Sequence, residues 1–105
     1  MDLAETKYEH AIAALAAKGV RAEFHNRGQL VLPSRIWITW QDHWYVSTWV
    51  PAVYPVPDDV DIVDLCLACL SCESNPFYTI PDAIAQRFKL VRLDDNATDK
   101  VLAAM

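Results

Sequence analysis

Glycine is scarce in this sequence, in which Gly19 and Gly28 are the only two among 105 residues. Loops that hold phosphate groups need closely spaced glycines, because the backbone amides must approach the ligand without side chains in the way. A hydrolase nucleophile elbow of the G-x-S-x-G type also needs a glycine on either side of its serine. Both kinds of site are excluded, and the sequence predicts no catalytic residue and no cofactor site.

Basic residues are few as well, since nine Lys and Arg stand against 14 Asp and Glu and the formal net charge is −5 at pH 7. The nine basic residues are scattered along the chain, whereas nucleic-acid binding needs clustered positive charge. We therefore expect no nucleic-acid ligand. An acidic surface instead favours association with a basic protein partner.

Long apolar runs are also lacking. The run at residues 65–70, for example, is far shorter than the ~20 residues that cross a bilayer. Residues 1–5 are acidic, unlike the basic start of a signal peptide. These features predict a cytoplasmic protein without membrane contact, in which the three cysteines are reduced thiols.

The composition, 53% hydrophobic and 22% charged, is that of a globular chain with one hydrophobic core. Apolar positions recur at helical spacing over residues 3–18, and Gly19 suits the end of that helix. Four strand candidates follow, and residues 35–40 and 44–49 form the clearest hairpin because they are rich in Trp, Ile, Val, Thr and Tyr. The prolines of residues 51–57 are interpreted as a stiff spacer.

The second half of the chain predicts mainly helices. Asp58 and Asp59 are expected to open a second helix of about 13 residues. A short helix at residues 81–87, a strand at 89–93 and a last helix at 97–104 complete the prediction. The order α-β-β-β-β-α-α-β-α indicates a single α+β domain over residues 1–105, in which an antiparallel sheet of four to five strands carries the N-terminal helix and two to three later helices.

The three cysteines, Cys66, Cys69 and Cys72, have the spacing C-x2-C-x2-C, which resembles part of an iron–sulfur cluster motif. No fourth cysteine completes it. On a helix, positions 66 and 72 lie about 120° apart, so the sulfurs do not converge. We interpret these residues as small hydrophobic residues of the core, and we keep a metal or cluster protein that uses Cys66, Cys69 and Cys72 as a weaker alternative.

The aromatic residues of the predicted hairpin lie on both faces of the sheet. Alternation puts Trp40 and Trp44 on the face that serves the helices, and it puts Trp37, Tyr45 and Trp49 on the other face, with Tyr54 nearby. An antiparallel sheet usually keeps one polar, solvated face. A second apolar face therefore has three possible explanations. Later helices cover this face, two copies of the chain form a homodimer through it, or the face binds a ligand or partner.

A set of acidic residues adds to this surface. Asp58, Asp61 and Asp64 precede or lie on the predicted second helix. Helix capping and an exposed helix face explain the presence of some of these acids without a function. We predict a small acidic non-catalytic protein-binding module, like an inhibitor, immunity protein or chaperone, that uses the aromatic sheet face and the acidic helix. The alternative is a small-molecule-binding protein or minor enzyme with a Trp-lined pocket.

Overall fold

A computed structural model describes residues 3–25, 29–33, 36–48, 52–71 and 79–104 of the chain. Their fold is α+β, with a five-stranded antiparallel sheet, a helix before it and three helices after it. The elements in chain order are α1 Leu3–Ala17, β1 Glu23–His25, β2 Gln29–Val31, β3 Trp37–Trp40, β4 Trp44–Ser47, β5 Val53–Pro55, α2 Ile62–Leu70, α3 Asp82–Phe88 and α4 Asp95–Ala103. None of the described helices is both long and apolar enough to cross a bilayer.

The sheet is a simple meander in which each strand pairs with the next, in the order β1-β2-β3-β4-β5. A single row of paired residues crosses all five strands: Phe24, Leu30, Ile38, Val46 and Tyr54. Directly paired residues point to the same side of an antiparallel sheet. This row therefore belongs to one face, here called the first face, and all of it except Phe24 is buried.

Helices α1 and α2 pack on the first face. Leu30, Ile38 and Val46 from the sheet share the core with Leu15 of α1 and Leu65 of α2. Helix α1 ends as predicted: Gly19 has a φ of +79°, and the amides of Gly19 and Val20 donate to the carbonyls of Ala16 and Leu15. This left-handed ending is costly for other residues, because a Cβ crowds the backbone there.

Helix α2 begins later than the sequence predicts. Asp58 and Asp59 lie in a turn, which is closed by a 3.0 Å hydrogen bond from the Val60 amide to the Pro57 carbonyl. The N-cap is Asp61, whose carboxylate accepts from the Val63 amide at 2.8 Å. The prediction that Asp58 and Asp59 open the helix is wrong because the turn after Pro57 delays the first helical residue to Ile62.

The fifth strand was predicted in the wrong place. It lies at Val53–Pro55, inside the proline-rich segment that we interpreted as a spacer. An edge strand tolerates proline, because its outward side needs no backbone donor. Residues 89–93 form no strand, although the Leu93 amide donates to the Val53 carbonyl at 2.9 Å along the outer edge of β5.

Helix α4 covers part of the second face of the sheet. It begins at Asp95 with Asp94 as N-cap, two residues earlier than predicted. The Leu93–Val53 hydrogen bond ties its start to β5, and Gln41 Nε2 in the β3–β4 turn donates to the Val101 carbonyl at 3.1 Å. The helix therefore spans from β5 to the far end of β3. Val53, which alternates with Tyr54 and so points to this second face, is completely buried.

Candidate functional site

Two tryptophans stand opposite each other at one end of the sheet. Trp40 ends β3 and Trp44 begins β4, and the two residues are directly paired in the register. Their ring centroids are 5.5 Å apart at an interplanar angle of 73°. The ring of Tyr8, from α1, meets Trp44 at the same centroid distance and an angle of 75°. Both tryptophans are half-buried, so part of each ring reaches the surface.

Three adjoining concavities run past these rings. The central one, of about 240 Å³, is lined by Trp40, Trp44, Lys7, His43 and Asp58 among others. A second, of about 390 Å³, shares His43 and Asp58 with it, and a third, also of about 390 Å³, shares Lys7 and Trp44. Neighbouring concavities share lining residues and therefore lie side by side, and the three together are here called the tryptophan groove.

The two ends of the tryptophan groove differ in their lining. Beyond His43, the groove is lined by Pro55, Pro57, Lys89 and Val91, and Val91 is 74% exposed. Beyond Lys7, it follows α1 past His10 to Asp61. The groove therefore combines aromatic and aliphatic walls with charged side chains of both signs.

Lys7 contributes a cation to the central concavity. Its ammonium nitrogen lies 4.7 Å from the centroid of the Trp40 ring, within the range of a cation–π interaction. Asp58 lines the same concavity and is exposed. Two π systems, an ammonium and a carboxylate therefore meet within one small depression.

His43 forms the boundary between two of the concavities. Its Nδ1 lies 3.1 Å from the Trp44 carbonyl oxygen and its Nε2 lies 3.5 Å from Asp42 Oδ1. A nitrogen this close to a carbonyl oxygen acts as the donor, so Nδ1 carries a hydrogen, while Nε2 faces the Asp42 carboxylate. The His43 ring also packs at 4.3 Å against Tyr45, whose hydroxyl donates to Asp42 at 3.2 Å. Partial burial and the nearby Asp42 charge raise the pKa of Tyr45.

The predicted aromatic surface is divided by the fold. Trp37 and Tyr45 alternate with Ile38 and Val46, which puts them on the second face, and both are half-buried there. Tyr54 was expected beside them, and that prediction is wrong. It belongs to the first face, where it is buried and its hydroxyl accepts from the Ile80 amide at 3.1 Å. Trp49 lies outside the described residues.

The predicted acidic residues are also separated. Asp58 and Asp61 line the tryptophan groove, one in its centre and one towards α1. Asp64 is exposed on α2 and lines none of the three concavities described here. The structure thus joins Asp58 and Asp61 to Trp40 and Trp44 rather than to Trp37 and Tyr45.

The cysteines of α2 face the core. Cys66 and Cys69 are buried with Ile62 and Leu65, and burial, followed by the neighbouring Cys69 and Asp61, raises the pKa of the Cys66 thiol. A raised pKa disfavours the reactive thiolate. Cys72 lies outside the described residues. Among the described residues, no three His, Cys, Asp or Glu side chains gather where they could hold a metal ion.

Sequence reasoning missed the groove because it assigned Trp40 and Trp44 to the helix-covered face. The assignment of the face is right, but both residues lie at the rim of the sheet, beside the β3–β4 turn, where the helices no longer cover them fully. Their position on either side of a three-residue turn was the available signal. Nothing in the sequence indicated that Lys7 meets Trp40.

The chain matches no protein-family model, no curated protein and no solved structure. The residues of the site are therefore what indicates a function for this chain.

Proposed function

We propose that this protein is a small acidic, non-catalytic protein-binding module, and that the tryptophan groove holds an extended segment of a basic partner. The observation that carries the proposal is a row of three adjoining concavities, of which the central one is lined by the half-buried Trp40 and Trp44. An elongated open depression suits a peptide segment better than a compact small molecule, which is usually enclosed on most sides. Aromatic residues are frequent anchors of protein–protein interfaces.

The charges around the tryptophan groove support a basic partner. Asp58 and Asp61 line it, and two exposed acids are next in sequence to lining residues: Asp59 follows Asp58, and Asp42 precedes His43. The lysines that line it are Lys7 and Lys89. The lining itself is balanced, with two carboxylates and two lysines, so the flanking Asp42 and Asp59 and the formal net charge of −5 are what favour a positively charged protein segment and oppose nucleic acid. Such a role fits a cytoplasmic protein.

The enzymatic alternative has less support. The thiols of Cys66 and Cys69 are buried, and the raised pKa of Cys66 opposes a nucleophilic role. A homodimer in which a second copy covers the groove, or the half-buried Trp37 and Tyr45, is a further alternative. Analytical ultracentrifugation tests it directly, because a monomer at high concentration excludes it.

Selection from a random peptide display library tests the proposal. We expect the protein to enrich peptides that combine Lys or Arg with apolar residues. The enriched peptides should bind the Asp58→Lys variant at least several-fold more weakly than the Asp99→Lys variant. Asp99 is a matched control, because it is exposed on α4 and undergoes the same change of charge.

The binding site of the selected peptides is then mapped on 15N-labelled protein. The proposal requires the largest chemical-shift changes at the indole N–H groups of Trp40 and Trp44. No enrichment, or shift changes confined to β1 or α4, would contradict it.

A further inference from the structure

The central concavity of the tryptophan groove already contains an alkylammonium group. The Lys7 ammonium lies over the Trp40 ring at 4.7 Å. The negative electrostatic potential of an indole face attracts cations, and quaternary and alkylated ammonium groups are commonly bound by such rings. The protein's own side chain therefore shows which ligand chemistry the Trp40 face accepts.

The remaining walls suit the same chemistry. Trp44 stands at 73° to Trp40, so the two rings form the two sides of a corner, and Asp58 supplies a carboxylate to the same concavity. Two aromatic rings and an anion stabilise a cation and repel an anionic ligand. His43 also lines the concavity, and it adds no charge when its imidazole is neutral.

No ion pair with a described side chain adds to the contact between Lys7 and Trp40. The Lys7 side chain is half-buried. A lysine has a long flexible stem and a strongly hydrated ammonium group, so it can return to solvent at low cost.

We propose that the concavity formed by Trp40, Trp44 and Asp58 binds a lysine ammonium of the partner protein, and that Lys7 occupies this position in the free protein. This inference rests on the proposed function and names the chemistry that the groove recognises. Lys7 acts as an internal competitor, because two ammonium groups in one concavity of this size repel each other. Partner binding therefore requires Lys7 to move away.

The test compares the binding of a tetralysine peptide to three forms of the protein at equal ionic strength and at pH 8, where an ordinary histidine is neutral. Lys7→Met keeps an unbranched, helix-compatible side chain and removes the charge. We expect it to bind tetralysine about fivefold or more tightly than the wild type, which is the scale of one cation–π contact. Lys18→Met is the matched control, because it removes the same charge from an exposed position just after α1.

Two further measurements locate the bound tetralysine on the protein. In the Lys7→Met background, Asp58→Asn should weaken tetralysine binding by about threefold, whereas Asp64→Asn, on α2 and away from the concavity, should leave it unchanged. Tetralysine should also shift the indole N–H signals of Trp40 and Trp44. Tetramethylammonium chloride is the probe for a free small cation.

Equal affinities of tetralysine for the wild type, Lys7→Met and Lys18→Met would overturn the inference. So would chemical-shift changes on tetralysine binding that leave the indole N–H signals of Trp40 and Trp44 unmoved. Binding of tetramethylammonium without binding of tetralysine would overturn the assignment to a protein side chain. These failures are distinct from failure of the proposed function, because library peptides can still occupy the rest of the groove. Only the absence of groove-binding peptides contradicts that function.

Discussion

The hydroxyl of Tyr8 accepts a 2.7 Å hydrogen bond from the backbone amide of Trp40, 32 residues further along the chain. The same hydroxyl lies 3.1 Å from Thr39 Oγ1. Tyr8 also packs its ring edge-to-face against Trp44. One side chain of α1 thereby holds both ends of the β3–β4 turn and positions the two tryptophans of the groove.

Removing this hydroxyl should destabilise the protein measurably. Tyr8→Phe keeps the ring contacts but takes a hydrogen-bond acceptor from the partly buried Trp40 amide, which costs about 1–3 kcal/mol when no replacement is found. Urea unfolding measures the change. Tyr45→Phe is the matched control, because it removes an exposed bond to Asp42 and should cost less than about 1 kcal/mol. Equal losses in the two variants would show that the Tyr8–Trp40 bond does not stabilise the fold.

The cover of the second face by α4 can be tested by one truncation. Val101 is buried on α4, and Val101→Ala should lower the free energy of unfolding by about 1–3 kcal/mol, since it leaves an apolar gap beneath the helix. Amide exchange near Val53 and Ser47 should accelerate in the same variant. Val91→Ala makes the same chemical change at a site that is 74% exposed, where about 0.5 kcal/mol or less is expected. If Val101→Ala is as harmless as Val91→Ala, α4 does not pack on the sheet.

The buried Cys66 thiol should make stability fall at alkaline pH. Because burial raises the pKa of Cys66 in the folded state, the folded protein keeps a proton that the unfolded chain loses above about pH 8.5. The contribution of the Cys66 thiol to the free energy of unfolding is fully present below the pKa that this thiol has in the unfolded chain. It is lost as pH rises above that pKa, with a slope of about 1.4 kcal/mol per pH unit.

The measurement is the difference between the wild type and Cys66→Ala in urea unfolding from pH 7 to pH 10.5, under reducing conditions. Subtraction removes the titration of the other groups, including Tyr45, whose raised pKa acts in the same direction at higher pH. We expect the advantage of the wild type to shrink as pH rises above about 8.5. A constant difference across this range would show that the Cys66 thiol titrates normally in the folded protein.

Part of the candidate site was predictable and part was not. The charge of Asp58 and Asp61 predicts a place in an interaction surface, and both residues line the groove. The position of Tyr54 just after the hairpin predicts a place beside the exposed aromatic residues, but Tyr54 is buried because β5 adds to the sheet at that point. Lys7 gave no signal, since its importance depends on where α1 crosses the end of β3.

The amino-acid sequence by itself determined the α+β class, the first helix with its glycine ending, and the antiparallel hairpin of β3 and β4. These features follow from local periodicity, turn chemistry and side-chain shape, which act over a few residues. Only the tertiary structure decided that a proline-rich segment becomes β5, that α4 covers the second face, and that Lys7 lies over Trp40. Each of these features depends on which apolar surfaces, distant in sequence, are buried against each other. That pairing is set by the packing of the whole chain.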